Sequence, residues 1–201
     1  MHSTRNRYTG DIVAGSLLVA ESREIARLLL DQCDQGRWRQ AIVVDNVLQK
    51  RSPVAAKRQA RLIKARLSLM SPALWEIIVN GSADVTTQAV LAAAIKHSRL
   101  LADFMDQVIR QHWQTFNTKL STRDWRDYLK NCTQVQPSLD QWSESTRKKL
   151  KQVVFRILAE AGYVDGTKTL NLQPVSVIPE IRKYLVDHNE TDILRCMEVT
   201  Q

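Results

Sequence analysis

The chain has 201 residues, and its 29 Lys and Arg against 21 Asp and Glu give a formal net charge of +8. Hydrophobic residues (44%) and charged residues (25%) are near the globular average, which argues against a disordered or fibrous chain. Only six glycines and five prolines occur, and this scarcity disfavours a turn-rich β-sandwich and favours helices.

The sequence lacks the usual signatures of secretion, metal binding and membrane insertion. Cys33, Cys132 and Cys196 are widely separated, form no C-x-x-C pair and have no histidine nearby, which disfavours a zinc site and a disulfide framework. The most apolar run, residues 89–95, is far shorter than the ~20 residues of a membrane span, and no signal peptide is visible. We therefore expect a cytoplasmic monomer that binds no membrane, metal or cofactor.

Hydrophobic periodicity predicts an all-α helical bundle in the first part of the chain. Ser52-Pro53 and Ser71-Pro72 are helix-start signals, because serine caps free N–H groups and proline loses no hydrogen bond at the first helical position. Residues 89–95 are apolar all round, as in a buried helix. The predicted elements are helices over 16–32, 38–48, 53–70 and 72–80, and a long, bent or split helical tract over 84–116.

The second part of the chain is predicted to be helical with one β-element. Ser121 and Asp124 resemble a capping box that starts a helix to about Cys132, and Ser143 caps a helix that ends at Gly162. Alternating apolar residues predict a small β-hairpin over 163–178, and helices follow over 179–188 and 191–197. These elements suggest an N-terminal subdomain, 1–135, and a C-terminal helix-turn-helix or winged-helix-like subdomain, 136–201, or the two packed as one domain.

The basic residues are concentrated in two acid-free windows, residues 46–75 and 145–159. The first includes a candidate helix-turn-helix made of helix 38–48, a four-residue turn over 49–52 and helix 53–70. One face of helix 53–70 is apolar. The opposite face carries cations without the acidic residues that usually accompany them on a helix surface. This division suits contact with nucleic-acid phosphates, although a plain solvated helix face is the alternative. The candidate residues are Lys50, Arg51, Lys57, Arg58, Arg61 and Lys64.

The second window lies on the helix before the predicted hairpin. A helix followed by a β-wing is the arrangement of winged helices, and a small capping subdomain with a solvated helix is an equal alternative. The candidate residues here are Arg147, Lys148, Lys149 and Lys151.

Catalytic patterns are weak. The pairs Asp103/Asp106 and Asp124/Asp127 are flanked by Arg or Lys, which favours surface ion pairs over a metal site, and His97 has no paired nucleophile. No P-loop, G-x-S-x-G or H-E-x-x-H motif occurs. The five tryptophans are interpreted as core anchors, although an exposed one would be able to stack on bases. These observations predict a protein that is not an enzyme.

Several long runs resemble the BrxA family, a core component of BREX (bacteriophage exclusion) systems. They are YTGDIVAGSLL (8–18), AIVVDNVLQKRSP (41–53), LAAAIKHSRLL (91–101), WSESTRKKL (142–150) and ILAEAGY (157–163). The resemblance spans nearly the whole chain. It implies an all-helical phage-defence protein with two helix-turn-helix elements and a positive surface, encoded beside a DNA methyltransferase, a phosphatase-like protein and ATPases. It supplies no catalytic residues.

Taken together, these features predict a non-enzymatic BREX component that binds double-stranded DNA through phosphates. A scaffold that docks its basic faces on other BREX proteins is the first alternative. An RNA-binding helical protein of the NusB type is the second.

Overall fold

A computed structural model describes residues 7–200 of the chain. The all-α prediction is confirmed, since these residues form helices joined by turns and contain no β-sheet. The described residues divide into two compact units, one formed by residues 17–97 and the other by residues 7–16 with 98–200. The boundary predicted after residue 135 falls inside the second unit.

The first unit surrounds a buried central helix. Its helices are α1 (Val19–Leu30), α2 (Gln35–Arg39, continued by a π-helical turn over Gln40–Val44), α3 (Pro53–Leu67), α4 (Pro72–Asn80) and α5 (Ala83–His97). Helix α5 packs against α1, α3 and α4, and every residue from Ala89 to Ile95 is buried. The prediction that residues 89–95 are enclosed on all sides is confirmed.

The second unit is built around an aromatic cluster. Phe104 is fully buried, and its ring lies 5.3 Å from Trp125, 5.2 Å from Tyr128 and 6.2 Å from Phe155, measured between centroids. The elements are a 3₁₀ turn (Asp11–Ala14), α6 (Arg99–Asp103), a π-helical segment (Phe104–Ile109), α7 (Arg110–Gln114), α8 (Thr122–Val135), a 3₁₀ turn (Pro137–Gln141), α9 (Glu144–Glu160), α10 (Pro179–Asp187) and α11 (Thr191–Met197). The cluster joins α8 to α9, which explains why no unit boundary falls between them.

Local capping sets several helix ends as the sequence predicts. The Ser121 hydroxyl accepts from the Asp124 amide while the Asp124 carboxylate accepts from the Ser121 amide, which completes the capping box of α8. Gly162, at φ +80°, ends α9: its amide donates to Ala159, and the Tyr163 amide donates to Leu158. The predicted long tract splits at Ser98, whose hydroxyl accepts from the Leu101 amide.

The predicted end of the second helix at Leu48 is wrong. Helical structure stops at Val44, and the connection to α3 is therefore residues 45–52 rather than the four-residue turn 49–52. The Asn46 side chain accepts from the Lys50 amide and donates to the Lys50 carbonyl, both at 2.9 Å, while Asn46 itself has a φ of +47°. These bonds fix a compact loop where periodicity alone indicates a further helical turn.

The predicted β-hairpin over 163–178 is reduced to isolated pairing. Val164 and Leu172 form one antiparallel bridge, and Asn171 pairs with Lys119 from a separate loop. Leu170 has a φ of +58°, which interrupts an extended strand. The Asp165 carboxylate accepts hydrogen bonds from Thr169 and Asn171, and these bonds lower its pKa. The segment is a loop closed on itself rather than a projecting wing.

Gly81 lies where the chain passes from α4 to α5. A Cβ atom there would meet the Ile77 carbonyl oxygen at 2.6 Å and a Val85 methyl at 2.7 Å. We expect Gly81→Ala to lower the free energy of unfolding by about 1–3 kcal/mol, because backbone and core must shift to admit the methyl group. Thermal unfolding followed by circular dichroism measures this loss. The matched change Gly10→Ala meets nothing within 4 Å, and equal stability of the two variants would contradict the prediction.

Candidate nucleic-acid interface

Helix α3 presents a stripe of cations on its outer face. Ser52 caps the helix by accepting from the Ala55 amide, and Pro53 occupies the first turn. The residues of its apolar face are all buried: Ala56, Ala60, Ile63, Leu67 and Met70. The α3 stripe consists of Lys57, Arg58, Arg61 and Lys64, all exposed.

The α3 stripe carries uncompensated charge. None of its four residues forms an ion pair with an acid among residues 7–200. Arg61 lies three or four positions from each of the others, so like charges are neighbours on the helix surface. A polyanion would relieve this repulsion.

A groove runs between α2 and α3, with a volume of about 670 Å³. We call it the α2–α3 groove. Apolar side chains and cations line it together, and no acid is among its lining residues, which are Gln35, Gly36, Trp38, Arg39, Ile42, Val43, Lys57, Arg61 and Lys64. Ile42 and Val43 come from the π-helical turn.

Trp38 is half-buried at the groove rather than enclosed in the core. The Lys64 ammonium lies 4.4 Å from the centroid of its indole ring. A cation–π contact at an exposed site contributes roughly 0.5–1 kcal/mol, and Lys64 thereby stays beside the groove. Of the five tryptophans, Trp125 is buried, as the core-anchor interpretation predicts, and the other four are half-buried.

The two predicted residues that precede α3 differ in their surroundings. Lys50 is half-buried, and its ammonium pairs with the Glu21 carboxylate of α1. Arg51 is exposed and forms no ion pair within residues 7–200. Lys50 therefore has a structural partner, whereas Arg51 extends the free charge of the α3 stripe.

The second predicted patch lies near the start of α9. Arg147 donates to the carbonyl oxygens of Trp142 and Leu139, both at 3.2 Å, and pairs with Asp140 at 3.3 Å. Lys148 and Lys149 are exposed, and Lys151 is half-buried. We call these three lysines the α9 patch, because the Arg147 guanidinium is already engaged in holding the preceding 3₁₀ turn.

A second groove, of about 900 Å³, separates α8 from α9. Lys148 and Lys151 line it together with Trp125, and the acids Asp140 and Glu144 line it as well. Its charge is therefore mixed, unlike that of the α2–α3 groove.

The candidate catalytic groups occupy structural positions. Asp103 pairs with Arg99, Asp106 with Arg110 and Arg195, and Asp127 with Arg123, as the ion-pair interpretation predicts. Burial raises the pKa of the Cys196 thiol to about 12 and also raises the pKa of Cys132. Both thiols are protonated at neutral pH and are poor nucleophiles.

Among residues 7–200, no group of three or more His, Cys, Asp or Glu side chains is placed to hold a metal ion. No helix within the described part of the chain has the length and apolar character needed to cross a membrane.

Comparison with known proteins places this architecture in a family. The BrxA family model matches residues 6–189. The chain belongs to the BrxA family. The BREX protein BrxA of Paramagnetospirillum magneticum (strain ATCC 700264 / AMB-1) is 46% identical over 96% of this chain and 98% of its own length. The BREX protein BrxA of Escherichia coli O9:H4 (strain HS) is 34% identical over 95% and 90%.

A solved structure shares the BrxA fold described here. It is a crystal structure of an uncharacterized protein from Magnetospirillum magneticum, 44% identical, with a TM-score of 0.89 over 96% of this chain and 99% of that one. The resemblance to BrxA that the sequence runs carry is thereby confirmed.

Sequence reasoning missed the opposite wall of the α2–α3 groove. Trp38, Arg39, Ile42 and Val43 face Lys57, Arg61 and Lys64 across it, although they belong to a different helix. The signal available was Arg37-Trp38-Arg39, an aromatic residue between two cations, which is unusual for a core anchor.

Proposed function

We propose that this BrxA protein is a non-enzymatic DNA-binding component of a BREX phage-defence system. It would contact the phosphates of double-stranded DNA through the α3 stripe, and more weakly through the α9 patch. The observation that carries the proposal is the row of four exposed cations on α3, which have no acidic partner within the described residues. The names of its relatives, BREX proteins, support the placement in phage defence.

Electrostatics supports a phosphate partner over other ligands. The first unit holds Arg37, Arg39 and Arg51 as further exposed cations, and Arg39 lines the α2–α3 groove together with Lys57, Arg61 and Lys64. Each phosphate that a cation neutralises releases condensed counterions from the DNA, and this release favours binding at low salt. Side chains that contact phosphates position a protein on DNA but read no bases, so we propose little sequence preference.

The connection between α2 and α3 affects how the helix would meet DNA. Helix-turn-helix motifs join their helices by three or four residues, whereas residues 45–52 separate α2 from α3 here. The basic stripe does not depend on that turn, because the Ser52 cap and the inner face of α3 orient it. Phosphate contact along the outer face of α3 is therefore the proposed mode, rather than base readout by a standard motif.

The test is the affinity for a blunt DNA duplex at several salt concentrations. If about 6–10 phosphates are contacted, affinity should fall ~10³- to 10⁵-fold between 50 and 200 mM salt. A duplex RNA of the same length, competed against the DNA, separates the RNA-binding alternative. Absence of duplex binding near physiological salt would overturn the proposal.

Other BREX proteins, among them the methyltransferase, the phosphatase-like protein and the ATPases, are proposed as partners of the same complex. If the basic faces instead dock on these proteins, capture of the partners should survive nuclease treatment and disappear when the α3 stripe is neutralised. That result, with no duplex binding, would favour the scaffold.

A further inference from the structure

We propose that the α2–α3 groove binds an unpaired nucleotide of DNA, with the base against Trp38 and the flanking phosphates on Lys57, Arg61 and Lys64. The inference rests on the proposed DNA binding and adds a second mode to it. Single-stranded DNA or a single-stranded gap would supply such a nucleotide.

The composition of the groove is the first argument. Contact with duplex phosphates needs only exposed cations, and the outer face of α3 already provides them. The groove adds apolar walls from Trp38, Ile42 and Val43, which a phosphate does not use. A nucleobase has a flat π face that packs on an indole and on aliphatic side chains, and stacking of this kind is independent of base identity.

The size and spacing of the groove are the second argument. Its volume of about 670 Å³ lies within the roughly 300–1,000 Å³ of pockets that enclose small ligands. From Lys57 to Lys64 the helix rises about 10 Å, so the cations at the two ends of the groove are far enough apart to contact different phosphates of one strand. The cations therefore match the phosphates on both sides of one inserted base. A paired base is stacked inside the duplex and does not reach such a site.

The contact between Lys64 and Trp38 is the third argument. The ammonium now lies over the ring that a base would cover, at 4.4 Å from its centroid. Lys64 is exposed, with a long and flexible side chain, so its ammonium is free to leave the ring for a phosphate. Lys64 thus shields the indole in the free protein and would pair with the backbone in the complex.

Charge complementarity selects the occupant. Four cations line the groove, and none of its lining residues is acidic. In the groove between α8 and α9, Trp125 likewise lies beside cations, but Asp140 and Glu144 are on the same walls and would repel a nucleotide's phosphate. The α2–α3 groove is therefore the site we assign to the unpaired nucleotide.

The experiment compares two DNA strands that differ only in their bases. A 12-nucleotide oligo(dT) and an abasic strand of the same length carry the same phosphates. Fluorescence anisotropy gives the affinity of each for the wild-type protein and for Trp38→Leu and Trp38→Phe. Trp113→Leu is the matched control, because Trp113 is also half-buried but lies outside both grooves.

We expect the wild-type protein to bind oligo(dT) about 5- to 100-fold more tightly than the abasic strand. Trp38→Leu should remove this preference, Trp38→Phe should keep part of it, and Trp113→Leu should leave it unchanged. Oligo(dT) should also quench tryptophan fluorescence in the wild-type protein and not in Trp38→Phe. Affinity for a blunt duplex should be nearly unchanged in all three variants, with circular dichroism confirming that they fold.

Two results would overturn the inference and leave duplex binding intact. Equal affinity of the wild-type protein for oligo(dT) and the abasic strand would mean that phosphates alone are bound. A preference for oligo(dT) that survives in Trp38→Leu would place base contact elsewhere. Absence of binding to every DNA, the blunt duplex included, would instead overturn the proposed function and this inference together.

Discussion

Replacing three cations of the α3 stripe, Lys57→Ala/Arg61→Ala/Lys64→Ala, should weaken duplex-DNA binding by roughly 10²- to 10³-fold near 0.1 M salt. Each phosphate contact contributes about 0.9 to the slope of log affinity against log salt, so two or three lost contacts should flatten the slope by about two to three. The three side chains are exposed and face away from the buried side of α3, and the variant should therefore stay folded. A salt titration by fluorescence anisotropy measures both quantities.

The control removes the same charge from a different place. Lys119→Ala/Lys168→Ala/Lys183→Ala changes three exposed lysines outside the α3 stripe and the α9 patch. If both triple variants lose affinity equally, binding follows net charge and the α3 stripe has no special part in it. An unchanged slope in the α3 variant would move the contacts to Lys148, Lys149 and Lys151.

Replacing Phe104 by alanine should lower the free energy of unfolding by about 3–5 kcal/mol. The ring is fully buried and lies within 6.2 Å, centroid to centroid, of three other aromatic rings. Its removal leaves a cavity that Trp125 and Tyr128 on α8 cannot fill, since each is fixed by the rest of the cluster. Urea unfolding followed by tryptophan fluorescence reports the loss.

Phe116 supplies the matched control for that prediction. It is the same residue type, in the same unit, but 92% exposed. Phe116→Ala should change the free energy of unfolding by less than about 0.5 kcal/mol, because surface changes rarely have larger effects. A loss below about 1 kcal/mol in Phe104→Ala would show that the cluster does not support the second unit.

Helix starts were predictable because their causes are local. Ser52-Pro53, Ser121 with Asp124, and Ser143 each satisfy free amides within three residues, so the chain needs no distant partner to begin a helix there. The buried face of α3 was equally predictable, since a period of 3.6 residues defines it.

The features that were not predictable depend on residues distant in sequence or on side chains that bond the backbone. The apolar pattern continues past Val44, but Asn46 binds the Lys50 backbone and ends the helix. Leu172 donates its amide to Thr118, whose position no local pattern around 163–178 indicates.

The predicted basic residues fall into two sets, those with a partner inside the fold and those without one, and contacts distant in sequence decide which. The sequence predicts one basic group before and within α3, but Lys50 meets Glu21 from α1, 29 residues away. Arg147 is likewise engaged by the turn that precedes α9. Only the folded chain distinguishes cations that hold the structure from cations left for a partner.

Lys57, Arg58, Arg61 and Lys64 lie in a stretch, residues 46–75, that contains no acid, and their mutual repulsion affects the stability of the fold. Neighbouring like charges on a helix cost about 0.2–0.5 kcal/mol per pair, and dilute salt screens them least. This repulsion should therefore lower the stability of the first unit most at low salt, the condition in which we propose that a polyanion binds it most tightly. By thermodynamic linkage, a polyanion that binds the folded protein as proposed would restore that stability and raise the resistance to unfolding.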